Sequence, residues 1–124
     1  MAEPQPRPKR PWRKRLAAAF RGLGLGVHGH SSFFVHSFCA ALVVATAAVL
    51  GCAAWQWCVL LGCIGMVFTA ELFNSAVETL FRGLDEETKA RAWPALDVAA
   101  GAVLMACLAA AVVGGVVLAA RLME

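Results

Sequence analysis

The sequence predicts an all-α integral membrane protein with three transmembrane helices preceded by an amphipathic helix on the membrane surface. Hydrophobic residues make up 60% of the 124 residues, which is too many for a soluble domain of this size. They are grouped in three blocks, at about 33–54, 57–81 and 95–120, and each block is long enough to span a bilayer. A basic segment precedes the first block. We therefore expect a membrane domain over residues 12–124.

The segment before the first span divides into a tail and a helix. Residues 1–11 are rich in proline and basic side chains, so we expect a disordered tail that is attracted to anionic lipid. Residues 12–29 form the predicted surface helix. Its apolar side chains recur at helical spacing: Trp12, Leu16, Phe20 and Leu23. We expect membrane partners for this region and no nucleic acid.

The basic residues indicate how the chain crosses the membrane. Seven of the eleven Lys and Arg residues precede the first span, and the short link near residues 55–56 has no charge. Three more lie in the polar connection of about 82–93, after which Pro94 suits the first turn of the third span. By the positive-inside rule, the N-terminus and this connection are predicted to be cytoplasmic.

Two carboxylates and an amide interrupt the apolar second span: Glu71, Asn74 and Glu78. On a helix, Glu71 and Glu78 lie about 20° apart in projection and roughly two turns apart in height, with Asn74 between them. Carboxylates at membrane depth are costly, so we interpret this face as a functional site. The predicted orientation places both acids in the cytoplasmic half and Asp97 at the cytoplasmic start of the third span. We expect these acids to converge at one depth.

Each of these residues also has a structural interpretation. Asn74 can join neighbouring helices by hydrogen bonding, and Glu78 can pair with Arg82 four residues later. Asp97 can stabilise the N-terminal turn of the third span. Three histidines near the start of the first span are either interfacial polar side chains or contacts to a metal or phosphate: His28, His30 and His36.

Four segments occur in an order that is specific to one family. AFRGL at 19–23 is similar to its amphipathic-helix signature, and SSFFVH at 31–36 is similar to the segment that enters its first span. AELFNSAVE at 70–78 follows the pattern E-x-x-N-[ST]-A-[IV]-E. ALDVAAGAVL at 95–104 follows A-K-D-x-A-A-x-A-V-L. Over about residues 19–117, the chain resembles the prokaryotic diacylglycerol kinase family, which includes undecaprenol kinases.

The resemblance implies a homotrimeric kinase of the bacterial inner membrane. Such an enzyme moves the γ-phosphoryl group of ATP to the hydroxyl of a lipid, diacylglycerol or undecaprenol, at the cytoplasmic face. Residue by residue, it implies that Glu71 is the catalytic base and Asn74 an active-site amide. It implies that Glu78 holds Mg²⁺ and that Asp97 is the acid of a Lys-Asp pair at the nucleotide. Phosphoryl transfer requires such positioning and charge neutralisation.

Three positions depart from the family pattern. Leu96 replaces the lysine that is expected to meet the ATP phosphates, and His30 replaces a second metal-binding glutamate. Arg82 replaces an acid one turn after Glu78. The site is therefore more positive than the family pattern and should hold Mg²⁺ less well, with His30 a weak ligand. Arg82 then either pairs with Glu78 or takes over the phosphate contact of the missing lysine.

These departures leave two leading hypotheses for the function. The first is an active ATP-dependent lipid kinase with a modified nucleotide site. The second is a catalytically degraded relative that binds an anionic lipid or regulates lipid metabolism without phosphoryl transfer. A purely structural membrane trimer is a third interpretation, but it leaves the buried carboxylates at an unexplained desolvation cost.

Overall fold

A computed structural model describes residues 3–29 and 31–124, which form four helices and, within these ranges, no strand. The helices are α1 (Trp12–Gly29), α2 (Ser31–Leu50), α3 (Ala54–Arg82) and α4 (Glu86–Leu122). By length and composition, α2, α3 and α4 can each cross a membrane. The predicted class, three apolar helices preceded by a separate helix, is confirmed. The homotrimer stays a prediction.

Helix α3 is the centre of the arrangement because it contacts each of the other three helices, most extensively α4. Short turns join α2 to α3 and α3 to α4, so consecutive helices run antiparallel. A small buried core of Ala47, Leu60 and Val117 joins the three long helices. Most other apolar side chains of α2 and α4 are exposed. Lipid chains are as apolar as leucine, so these surfaces need no cover from the same chain.

The turn between α2 and α3 is tied to the end of α4. Gly51 adopts a φ of +62°, in the left-handed region that favours glycine at the end of a helix. The Arg121 guanidinium donates to the Leu50 carbonyl at 3.0 Å and to the Gly51 carbonyl at 2.7 Å. These bonds satisfy carbonyls that the end of α2 leaves without helical partners.

Helix α4 begins earlier than predicted. The Asp85 side chain accepts a hydrogen bond from the Thr88 backbone N–H at 2.9 Å, which caps the helix before Glu86. Two ion pairs, each between side chains about one turn apart, then support the start of the helix: Glu86–Lys89 and Glu87–Arg91. The placement of Pro94 in the first turn was wrong. Pro94 lies inside α4, because this cap and these pairs start the helix in the polar connection.

Helix α1 packs against α3 through a glycine. A Cβ atom at Gly26 would overlap the Leu72 side chain, so glycine permits the close approach of the two helices. The apolar side chains of Trp12, Leu16 and Phe20 remain exposed along α1. Because α3 does not cover them, they are available for the membrane surface, as expected of an amphipathic surface helix.

Candidate functional site

The polar side chains of α3 form two groups with different surroundings. We call Glu71, with Ser32 and His36 of α2, the inner cluster. We call Asn74, Glu78 and Arg82, which all belong to α3, the outer strip. The outer strip lies toward the end of α3 that leads into α4. The sequence placed Glu71 and Glu78 on one helix face, but the structure gives them different partners.

The inner cluster surrounds a buried carboxylate. The Glu71 side chain is only 3% exposed, and its Oε1 accepts a hydrogen bond from the Ser32 hydroxyl. The Nε2 atom of His36 lies 3.3 Å from Glu71 Oε2. Ser32 and His36 are four residues apart on α2, so both reach the same carboxylate from one face of that helix. Both oxygens of Glu71 therefore have partners, as a buried carboxylate requires.

An aromatic contact holds α2 against α3 beside this cluster. The rings of Phe33 and Phe68 stack with centroids 5.6 Å apart and planes inclined by 19°. Phe33 is almost completely buried. Such pairs favour offset stacking and add to the energy of burial. The contact fixes the height of α2 relative to α3, and thus the register that brings Ser32 to Glu71.

The outer strip is more exposed, and its members contact one another within one helix. The Asn74 side-chain amide donates to Glu78 Oε1 at 2.8 Å, and Arg82 Nη2 lies 3.6 Å from Glu78 Oε2. The Arg82 side chain is 67% exposed and that of Glu78 is 38% exposed. An exposed ion pair of this kind contributes about 0.2–1 kcal/mol. Arg82 can therefore leave Glu78 for another anion at little cost.

An apolar cavity of about 320 Å³ adjoins the inner cluster. It lies between α2, α3 and α4, and its walls are almost entirely apolar side chains and thiols. His36 and Phe68 belong to its wall and also border Glu71. The cavity thus has a polar end, at His36, and an apolar body. Such a space suits a hydrocarbon chain that carries a polar group at one end.

One buried hydroxyl remains beside the cluster. Ser75 is buried one turn after Glu71, and its hydroxyl has no hydrogen-bond partner in the described part of the chain. Buried polar atoms are normally paired, so this atom marks a position where α3 has unused hydrogen-bonding capacity. The predictions from sequence gave Ser75 no role.

In the described part of the chain, none of the remaining predicted site residues is hydrogen-bonded or ion-paired to Glu71. Asp97 is exposed and forms no hydrogen bond or ion pair within residues 3–29 and 31–124. Leu96 is half-buried. His30, the weak metal ligand of the prediction, lies outside the described residues. The convergence of Asp97 with the acids of α3 therefore remains a prediction, as do the roles assigned to these residues.

Ser32 and His36 are the site residues that the sequence reasoning missed as partners of Glu71. Both occur in SSFFVH, and His36 had been interpreted only as an interfacial residue or a ligand. The available signal was their spacing, because a serine and a histidine four residues apart share one helix face. The spacing does not show which residue of α3 that face contacts.

Within residues 3–29 and 31–124, the carboxylates are not grouped as a magnesium site. Glu78 offers an oxygen-rich group, but one oxygen accepts from Asn74 and the other is close to the Arg82 cation. Among the described residues, no three His, Cys, Asp or Glu side chains are grouped as metal ligands. Mg²⁺ prefers oxygen ligands and keeps several waters. A cationic guanidinium beside the one candidate ligand opposes a second cation there.

Three apolar helices around a buried carboxylate define an integral membrane protein with a polar intramembrane site. The sequence profile of the family described as prokaryotic diacylglycerol kinase matches residues 17–118. The chain belongs to this family, as the motifs of α1, α3 and α4 indicated. Neither a curated protein nor a solved structure gives a significant match.

Family membership indicates the general activity of the protein and its location. It indicates a lipid kinase, and kinases of this family generally use ATP and Mg²⁺. Together with the three apolar helices, it indicates a protein of the bacterial inner membrane. The lipid, the nucleotide contacts and the orientation are matters for the proposal below.

Proposed function

We propose that the protein transfers the γ-phosphoryl group of ATP to the hydroxyl of a membrane lipid, with Glu71 as the general base. The observation that carries this proposal is the buried Glu71 carboxylate, which accepts a hydrogen bond from an alcohol, the Ser32 hydroxyl. A lipid hydroxyl donates in the same way. A carboxylate at hydrogen-bond distance from the reacting hydroxyl is placed to take its proton as the O–P bond forms.

The apolar cavity supports a lipid as the acceptor. A chain that occupies the cavity has its polar end near His36, and Glu71 lies directly beyond that histidine. The cavity, of about 320 Å³, is large enough for a segment of a hydrocarbon chain. In this proposal the acceptor places such a segment between the helices.

The outer strip supports a site for the nucleotide. Asn74 is a neutral donor, and Arg82 is a largely exposed cation whose bond to Glu78 is long. Guanidinium groups bind phosphate oxygens through two parallel hydrogen bonds. In this proposal Arg82 takes the phosphate contact that Leu96 is unable to make. Asp97 contributes a further contact to the nucleotide, as the family motif implies.

The proposal includes an orientation and an assembly. The N-terminus and the connection between α3 and α4 face the cytoplasm, where ATP is present, and the basic tail lies against anionic lipid. The exposed apolar surfaces of α2 and α4 pack in a homotrimer. A reporter fused after Glu124 should be active only outside the cytoplasm, and activity inside would reject this orientation.

The direct test uses the purified full-length protein in detergent micelles, with radiolabelled ATP and either diacylglycerol or undecaprenol. We expect labelled lipid from one of the two classes. Glu71→Gln should abolish the label, and Glu87→Gln, an acid on the exposed first turn of α4, should not change it. Protein of native assembly state that labels neither lipid would contradict the proposal.

A second candidate function is favoured by the pairing of Glu78 with Arg82. This contact occupies the carboxylate that the family assigns to Mg²⁺, and Leu96 offers no charge to a phosphate. Such a chain binds an anionic lipid without phosphoryl transfer. In that case the wild type should neither bind ATP nor phosphorylate lipid. Restoring Lys at 96, Glu at 30 and Asp at 82 together should then recover activity.

A further inference from the structure

We propose that His36 is a positioning residue of this site, which holds Glu71 in place and carries away the proton that Glu71 takes from the lipid hydroxyl. The inference rests on the proposed function and assigns a role to a residue that the family motifs on α3 and α4 do not include. Its basis is the position of the His36 ring between the buried carboxylate and the open cavity.

The geometry divides the two oxygens of Glu71 between two tasks. Oε1 accepts a hydrogen bond from the Ser32 hydroxyl. In the proposed reaction, the lipid hydroxyl takes the place of the Ser32 hydroxyl as the donor to Oε1. Oε2 lies 3.3 Å from His36 Nε2. The ring therefore fixes the orientation of the carboxylate without competing for Oε1. A general base has to be held in this way, because small displacements of a reacting group strongly reduce the rate.

Proton balance requires a second group at this site. When the lipid O–H bond breaks, the oxygen forms a bond to the γ-phosphorus and the bond from that phosphorus to ADP breaks. The proton passes to Glu71. A buried glutamic acid that keeps this proton is inactive in the next cycle, so the proton has to leave. In our proposal the imidazole of His36, as its Nδ1–H tautomer, accepts this proton at Nε2, and the resulting imidazolium releases a proton from Nδ1 to water. Exchange between the two neutral tautomers through water then returns the lone pair to Nε2.

The burial of the two side chains agrees with this direction of transfer. The Glu71 side chain is 3% exposed, whereas that of His36 is 18% exposed and belongs to the cavity wall. Imidazole both accepts and releases protons near neutral pH. The other titratable side chains around this cavity are the thiols of Cys39 on α2, Cys63 on α3 and Cys107 on α4. Among the cavity-wall residues, His36 is thus the one imidazole.

His36→Gln tests the proton transfer because it keeps a polar side chain next to Glu71 but one that takes up no proton. In the micelle assay we expect kcat to fall by about 10²-fold, at the lower end for general acid–base groups, with KM for ATP unchanged. The matched control is His28→Gln, since the His28 ring is exposed and its one bond among the described residues is to the Gly24 carbonyl of its own helix. That variant should retain native kcat.

Chemical rescue separates proton transfer from a purely structural role. His36→Ala opens space beside a cavity that has room for an imidazole molecule, and added imidazole should restore turnover in proportion to its concentration. It should not restore Glu71→Gln. A native kcat in His36→Gln would overturn this inference but not the proposed function. The same holds if His36→Ala assembles normally and imidazole does not restore its turnover. A wild type without lipid phosphorylation would overturn the proposed function and this inference with it.

Discussion

The acid of the inner cluster, Glu71, and the acid of the outer strip, Glu78, lie about two turns apart on the same helix, yet they differ in how they are held. Glu71 is buried and bound by two side chains of another helix. Glu78 is partly exposed and contacts two side chains of its own helix, Asn74 and Arg82, each four residues away. Proximity along α3 therefore does not give the two carboxylates the same chemistry.

The difference separates a fixed site from an adaptable one. The contacts of Glu71 persist only while α2 and α3 keep their register, which the stacked pair Phe33–Phe68 supports. A base needs that fixed geometry. The contacts of Glu78 are solvent-accessible and exchange at little cost. A group that has to bind and release a nucleotide benefits from that property.

The largest expected effect comes from substituting Glu71 and Glu78 one at a time. Glu71→Gln keeps the size of the side chain but removes the proton acceptor, so kcat should fall about 10²- to 10⁴-fold. Glu78→Gln should act mainly on KM for ATP, because it alters the charge next to Arg82. Steady-state kinetics with varied ATP measures both. Equal losses of kcat in the two variants would show that the inner and outer regions do not differ as described.

The next effect concerns Arg82 and the nucleotide. If its guanidinium binds the phosphates, Arg82→Ala should weaken ATP binding by about ten- to a hundredfold, the range of one charge-assisted hydrogen bond. Arg82→Lys should restore part of that loss. The control is Arg91→Ala, an exposed cation paired only with Glu87. Calorimetric titration with ATP provides the measurement, and unchanged affinity in Arg82→Ala would remove Arg82 from the nucleotide site.

The free energy of unfolding of two variants provides a further comparison of the inner cluster with the outer strip. Ser32→Ala removes a donor from the buried carboxylate, so we expect a loss of about 1.5–3 kcal/mol in the free energy of unfolding. Arg82→Ala removes a partner from an exposed carboxylate and should change stability by at most about 1 kcal/mol. Denaturation in mixed micelles, followed by circular dichroism, compares the two. A larger loss for Arg82→Ala than for Ser32→Ala would reverse the assignment of buried and exposed sites.

The smallest effect is expected at the cap of α4, away from both regions. The side-chain hydrogen bond from Thr88, and then its backbone hydrogen bond, lower the pKa of Asp85. Because the folded-state pKa lies below the unfolded one, this contribution is complete above the ordinary Asp pKa and is lost as pH falls through the lowered value. Asp85→Asn keeps a capping group but not the charge.

Melting temperatures between about pH 2 and 6 test this prediction, because that range brackets the ordinary pKa of an aspartate. The wild type should lose a small part of its stability toward low pH that Asp85→Asn does not lose. Lipid phosphorylation at neutral pH should be the same in both proteins. An identical pH dependence in the two proteins would exclude a charged cap at Asp85.

Much of the architecture could be predicted from the chain alone. Three long apolar blocks require three helices in a bilayer, since a helix satisfies all of its backbone hydrogen bonds internally. The ion pair of Glu78 with Arg82 could also be predicted, because residues four apart on a helix are neighbours. The start of α4 could not be predicted from Pro94, because the helix begins at the side-chain cap of Asp85, in a segment that the sequence suggested was a loop.

Helical spacing along the chain already indicates the content of the site: a carboxylate in an apolar span, an amide, a second acid and an arginine. The packing of the helices brings Ser32 and His36 to Glu71 and opens a cavity beside His36, neither of which the spacing shows. The reason is physical. Helical periodicity fixes which residues share a face, whereas the packing of side chains between helices fixes which face meets which.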